Sequence, residues 1–212
     1  MMLPRLCAII DQRTAERHGW RPPALARACL EGGARWLQLR VADAGSGEAL
    51  AWCDEIVASA RRCGARVVVN DRADIALLAG ADGVHVGQTD LHPDAVRRVL
   101  PRPAIVGVST HTAGEVDGSR GEDATYVAVG PIYRTRTKET GYAPVGLGLV
   151  RYAAGAQGRP IVAIGGITPE RARPVLAAGA SAVAVISDLL RGGDPAQRVA
   201  AYVALLEEAP RK

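Results

Sequence analysis

Phenylalanine is missing from this chain altogether, asparagine occurs once, at Asn70, and lysine occurs twice, at Lys138 and Lys212; apart from four histidines, every other basic residue is an arginine. Three Trp and five Tyr offer few platforms for stacking bases, and the arginines are scattered along the sequence. The net charge of +4 therefore does not by itself point to nucleic acid, whereas a phosphorylated small molecule would need only a local positive site. No apolar run approaches the ~18 residues of a membrane span. The opening MMLPRLCAIIDQR reaches the charged Asp11 too soon for the core of a signal peptide. Cys7, Cys29, Cys53 and Cys63 have no CxxC or CxxH spacing, which speaks against a zinc site or a redox pair and for reduced structural thiols. The expectation is a cytoplasmic protein that uses neither a membrane nor a nucleic acid.

What is present is a repeating pattern. With 212 residues and 48% hydrophobic content the chain can bury a sizeable core, and no Pro/Ser-rich linker divides it, so residues 1–212 read as one domain. Short β-branched or apolar runs recur at 6–10, 36–40, 66–70, 83–87, 104–109, 126–130, 160–166 and 182–187. Between them lie segments rich in Ala, Leu and Arg with helical spacing, such as PPALARACLEGG and ALAWCDEIVASARRCG, several ending in the glycine that closes a helix. Strands buried on both faces and alternating with helices require a parallel sheet with right-handed crossovers. Eight such units close most economically into a (β/α)8 barrel. The open doubly wound sheet is the competitor, but no GxGxxG follows the first run.

A barrel builds its site at the C-terminal ends of its strands, so the polar residues there become candidates. They are Gln38 and Arg40, Asn70 and Asp71, Gln88 and Asp90, Ser109 and His111, Thr135 to Lys138, Gly165 and Gly166, and Ser187. Asp71 and Asp90 follow neighbouring strands, and two carboxylates with substrate phosphate oxygens commonly hold Mg2+. Each also has a plainer reading, Asp71 as a partner of Arg72 or a helix cap, Asp90 as the cap of a helix near Pro93. IGGITPE and VIS supply backbone N–H groups where barrels often bind phosphate, with Thr168-Pro169 as the start of a helix. His85, inside a strand, reads as a hydrogen-bonded core group, and His111 as a residue that could face the site. No Ser-His-Asp or Cys-His arrangement can be argued from spacing.

Taken in order, LQLR, VVVNDRADIALLAGADGVHVGQTDL, IVGVSTHT, VGPIYRTRTKET, IVAIGGITPE and VAVIS resemble the thiamine-phosphate synthase family and its close relatives, the thiazole tautomerases. The resemblance implies a (β/α)8 barrel that joins 4-amino-5-hydroxymethyl-2-methylpyrimidine diphosphate to a thiazole phosphate, or its carboxylated form, with release of diphosphate. It implies that Gln38, Arg40, Asn70, Ser109 and Lys138 hold the pyrimidine and its diphosphate, and that Arg40, Ser109 and Lys138 carry the chemistry. Asp71 and Asp90 would carry Mg2+, and Thr135, Thr137, Gly166, Ile186 and Ser187 would hold the thiazole phosphate. The partners so implied are small phosphorylated substrates.

One position departs from the pattern. The family's first phosphate motif reads Gln-Leu-Arg-x-Lys, whereas QLRVA places Ala42 where the lysine is expected. Arg40, Arg72 or the Gly- and Ala-rich segment 41–48, which reads as mobile, could compensate. The departure keeps open the alternative of a thiazole tautomerase with His111 moving the proton, while the retained Asp71, Asp90 and Thr135-Arg136-Thr137-Lys138 favour the synthase.

Overall fold

The computed structural model describes residues 3–208 except 136 and 138–140. Eight strands, β1 (Leu6–Asp11), β2 (Trp36–Arg40), β3 (Arg66–Asn70), β4 (Gly83–Val86), β5 (Ile105–Thr110), β6 (Tyr126–Val129), β7 (Ile161–Ile164) and β8 (Ala182–Val185), follow the eight apolar runs to within a few residues. Each pairs in parallel with the next, and β8 pairs back onto β1 to close the barrel.

The helices of the described residues fill the connections and face the barrel's outer surface. They are α1 (Gln12–Arg17), α2 (Pro22–Glu31), α3 (Ser46–Arg62), α4 (Ala73–Leu78), α5 (Pro93–Val99), α6 (Ala113–Gly118), α7 (Gly146–Ala156), α8 (Pro169–Ala177) and α9 (Pro195–Glu207). In α3 the buried apolar residues are Ala49, Trp52, Cys53, Ile56, Val57 and Ala60, a spacing of three and four that turns one stripe toward the sheet. Proline opens α2, α5, α8 and α9, where its missing N–H costs no helical bond. Among the described residues no helix is long and apolar enough to cross a membrane.

Two apolar clusters share the strands. The larger lies between the sheet and the helices, with Ile10, Leu37, Leu39, Val67, Val69, Val127 and Val183 on the strands' outer faces. The smaller fills the barrel with Cys7, Ile9, Trp36, Val68, Ile105, Tyr126, Val162 and Ala182. Alternation along each strand assigns the inward positions, so the residues continuing the interior set toward the C-terminal rim are Gln38 and Arg40, Asn70, His85, Ser109 and Ile186. Tyr126 spans the interior because Gly107 faces it, a Cβ there falling 2.1 Å from the tyrosine ring. Its ring meets Trp36 edge-on at 5.1 Å.

Candidate active site

At the rim of β2 and β3 the inward polar residues form a chain. Gln38, 5% exposed, donates from Nε2 to Asn70 Oδ1 at 3.1 Å, and Asn70 Nδ2 donates to Asp71 Oδ2 at 2.6 Å. Asp71 turns the chain at φ 64°, the one non-glycine residue with positive φ among the described residues, while its N–H donates to the His85 carbonyl at 2.7 Å. Aspartate tolerates this region better than most residues. The N-caps of α4 and α5 are residues other than these two carboxylates. Arg72 itself occupies the N-cap of α4 and pairs with Asp74, and His92 rather than Asp90 caps α5. Asp90 instead accepts from Gly87 N–H at 2.8 Å.

Arg40 is held by an ion pair with the nearly inaccessible Asp11 at 2.6 Å, whose other oxygen caps α1 through Thr14. Its Nε is buried and has no hydrogen-bond partner among the described residues, an uncommon state for a buried donor. The loop after β2, read from sequence as mobile, is anchored. Ala42, Asp43 and Ala44 all donate their N–H groups to the single oxygen Oε1 of Gln12 at 3.1, 3.0 and 3.2 Å. Residues 46–48 belong to α3. Arg13 grips Asp43 with two bonds of 2.6 and 2.5 Å, holding that exposed carboxyl below its usual range. Gln12 and Arg13 carried no signal in the sequence, since a loop's partner on another element has no fixed spacing.

On the opposite side a cavity of about 110 Å³ opens between the ends of β5 to β8. Its lining brings together Thr135, Thr137, Gly166, Ile186 and Ser187, the residues assigned from sequence to one phosphate, together with Ser109 and His111. Thr135 Oγ1 donates to Thr137 Oγ1 at 3.3 Å and Thr137 Oγ1 to Ser187 Oγ at 3.0 Å, so hydroxyls link the loops after β6 and β8. Gly165 and Gly166 adopt φ 102° and 61°. A Cβ would lie 2.6 Å from Pro131 Cα at the first and 2.7 Å from the Arg134 carbonyl at the second. Both positions therefore require glycine, and the loop's backbone lies against the chain after β6. Thr168 and Pro169 open α8 as read from sequence, although the Thr168 hydroxyl makes no capping bond to the backbone.

Ser109 stands between the two regions. Its hydroxyl meets His85 Nε2 at 2.8 Å, and His85 Nδ1 meets the Tyr126 hydroxyl at 2.9 Å; burial holds that phenol well above its ordinary pKa. His85 is thus the hydrogen-bonded core group read from its strand position, but one that fixes a candidate site residue. His111 Nδ1 lies 2.6 Å from the Gly130 carbonyl. A carbonyl only accepts, so Nδ1 carries the proton and Nε2 is the basic nitrogen. Its ring stacks on Tyr142 with centroids 4.0 Å apart. Lys138 lies outside the described residues.

A second arrangement escaped the sequence reading. Asp188, in the cavity lining, accepts from Arg198 Nε and Nη2 at 2.9 and 2.7 Å and from the Tyr202 hydroxyl at 2.6 Å. The same hydroxyl lies 3.2 Å from the Ile167 carbonyl. Tyr202 of α9 thereby bridges the loops after β7 and β8, while Arg198 of the same helix grips Asp188 alone.

As to a metal, the described residues hold no group of three or more His, Cys, Asp or Glu that could form an all-protein cage. Mg2+ takes one or two carboxylates and completes its octahedron with water and substrate phosphate. The hard oxygens of Asp71 and Asp90, at the ends of adjacent strands, are donors of that type.

Comparison with known proteins agrees with this fold. Residues 6–189 match the family model described as thiamine monophosphate synthase. The thiamine-phosphate synthase of Chlorobium phaeovibrioides is 41% identical over 97% of this chain and 95% of its own. The thiamine biosynthesis bifunctional protein ThiM/ThiE of Symbiobacterium thermophilum is 44% identical over 91% of this chain, which spans only 40% of that longer protein. Among solved structures, a thiamine phosphate pyrophosphorylase from Pyrococcus furiosus superposes with a TM-score of 0.87 at 29% identity, covering 96% of both chains. The fold and these matches define a (β/α)8 barrel enzyme. The chain belongs to the thiamine monophosphate synthase family, and with it to the transferases of thiamine biosynthesis. The tautomerase alternative is not favoured by these relatives.

Proposed function

We propose that this single-domain, cytoplasmic enzyme joins 4-amino-5-hydroxymethyl-2-methylpyrimidine diphosphate to thiazole phosphate, or its carboxylated form, releasing thiamine phosphate and diphosphate. The observation that carries the reading is the cavity in which hydroxyls of Thr135, Thr137 and Ser187 meet the glycine turn at Gly166. It adjoins, through Ser109 and His85, the rim that holds Gln38, Asn70 and Asp71. One region suits a phosphate monoester and the other a polar heterocycle with a charged tail.

The chemistry accounts for these residue types. The bond from the pyrimidine's exocyclic carbon to the diphosphate oxygen breaks with its electron pair leaving on the diphosphate. The resulting cation, stabilised by the electron-rich ring, is captured by the thiazole nitrogen's lone pair, and a carboxylated thiazole then loses carbon dioxide. Such a step asks for stabilisation of the departing anion rather than for a nucleophilic side chain. Arg40, with its unspent Nε, and Lys138 would face the diphosphate. Gln38 and Asn70 would orient the pyrimidine, and Ser109, fixed by His85, would complete its pocket. Asp71 and Asp90 would hold Mg2+, which when bound neutralises charge on the leaving group. Holding both partners in line makes capture of the cation nearly unimolecular.

Two-substrate kinetics test the division of the rim. Asn70→Ala should raise KM for the pyrimidine diphosphate and Gly166→Ala that for the thiazole phosphate, each on the order of tenfold or more. If either variant changed the constants of the other substrate instead, the assignment of the two regions would be wrong.

A further inference from the structure

The fold assembles a charge cluster from arginines that look scattered in the sequence. Outside the cavity, sharing its Thr135, Thr137, Gly166 and Ser187, lies a wider groove of about 530 Å³ walled by Arg17, Arg134, Arg171 and Arg191. None of the four forms an ion pair with a carboxylate among the twelve found in the described residues. Two are positioned by neutral groups. Arg171 donates to the Gly166 carbonyl at 2.8 Å and lies 4.8 Å over the Tyr133 ring, and Arg17 bonds the Arg13 carbonyl at 3.1 Å and Thr14 Oγ1 at 3.3 Å.

The nearby carboxylates among the described residues offset this charge only in part. Asp188 is spent on Arg198 and Tyr202. Glu170 is exposed; a hydrogen bond from Thr168 holds its carboxyl below the ordinary range, and Arg198 and Arg191 add to the effect from a distance. His18, also in the wall, holds the Thr14 carbonyl through Nδ1 at 2.8 Å. A single phosphate monoester in the cavity would leave most of these guanidiniums without a counter-anion. Guanidiniums at such density are suited to a second phosphate group joined to the first.

We propose that the arginine groove is an outer phosphate subsite that accepts a diphosphate ester on the thiazole end, so that the diphosphate form of the coupled product binds across cavity and groove and excludes thiazole phosphate. The inference rests on the proposed placement of thiazole phosphate in the cavity. Its consequence is restraint of the enzyme by the doubly phosphorylated descendant of its own product, competitive with thiazole phosphate.

Titration calorimetry of the intact protein in low-salt, metal-free buffer, with thiamine phosphate and thiamine diphosphate as probes, tests it. The diphosphate should bind about tenfold or more tightly than the monophosphate, the scale of added charge-assisted contacts. In the double variant Arg134→Ala, Arg191→Ala, which alters two exposed side chains, that preference should vanish while the monophosphate Kd moves by less than about threefold. Equal binding of the two probes to the unaltered protein, or a preference that survives in the variant, overturns the subsite and leaves the synthase reading standing. Failure of both probes and of thiazole phosphate to bind overturns both together.

Discussion

Lys138 breaks the chain's own habit of using arginine, and the proposed chemistry gives the exception a reason. An ammonium is a compact charge on a flexible stem that can follow diphosphate oxygens as they depart, whereas a guanidinium presents a fixed planar fork. Lys138→Arg is therefore expected to lower kcat on the order of tenfold, about 1.4 kcal/mol in the barrier, in a steady-state assay. Unchanged turnover would remove the argument for a special lysine. Ala42 is the opposite case, an apolar residue where the resemblance implies a cation. Its N–H is engaged by Gln12 and its neighbour Asp43 by Arg13, so the loop's shape is secured by groups on α1 rather than by anything in the loop's own sequence. Asp71 shows what a sequence can and cannot disclose at this scale. Its place at a strand tip was legible, but its left-handed backbone, with its N–H on the His85 carbonyl of β4, involves a contact that no local pattern encodes.

Among the elements, α9 has a task beyond covering the barrel. Tyr202, fully buried, ties the Ile167 carbonyl after β7 to Asp188 after β8; burial first, then the bond to Asp188, raises its phenol far above its ordinary pKa, so it stays a donor. Tyr202→Phe should cost ~1–3 kcal/mol of stability and, because the two loops shape the cavity, raise KM for thiazole phosphate proportionally more than it lowers kcat. A loss of stability with both kinetic constants intact would reduce Tyr202 to a structural role. All eight strands could be read from their apolar runs because parallel strands buried on both faces leave an unbroken signal, and the rim candidates followed from the strand ends. Arg198, Tyr202 and Gln12 could not, since their partners lie on other elements at separations that only the closed barrel fixes.

At the scale of the molecule, three of the four cysteines are buried. Burial pushes Cys29 up to about 12, and Cys53 likewise up to about 12 with Asp54 adding a little, and it raises Cys7 as well. Cys63 is exposed. A chromogenic disulfide reagent at pH 8 should titrate one thiol in the native protein and all four after denaturation; a second native thiol would show that the core opens more readily than its packing implies. The central claim is that the two halves of one rim bring two phosphorylated substrates together. It is tested most directly by incubating purified protein with Mg2+, the pyrimidine diphosphate and thiazole phosphate, and measuring thiamine phosphate and released diphosphate against a chelated control. The account predicts both products in equal amounts, dependent on the metal. Absence of both, with metal-independent interconversion of carboxythiazole phosphate isomers by the same sample, would contradict it and move attention to His111.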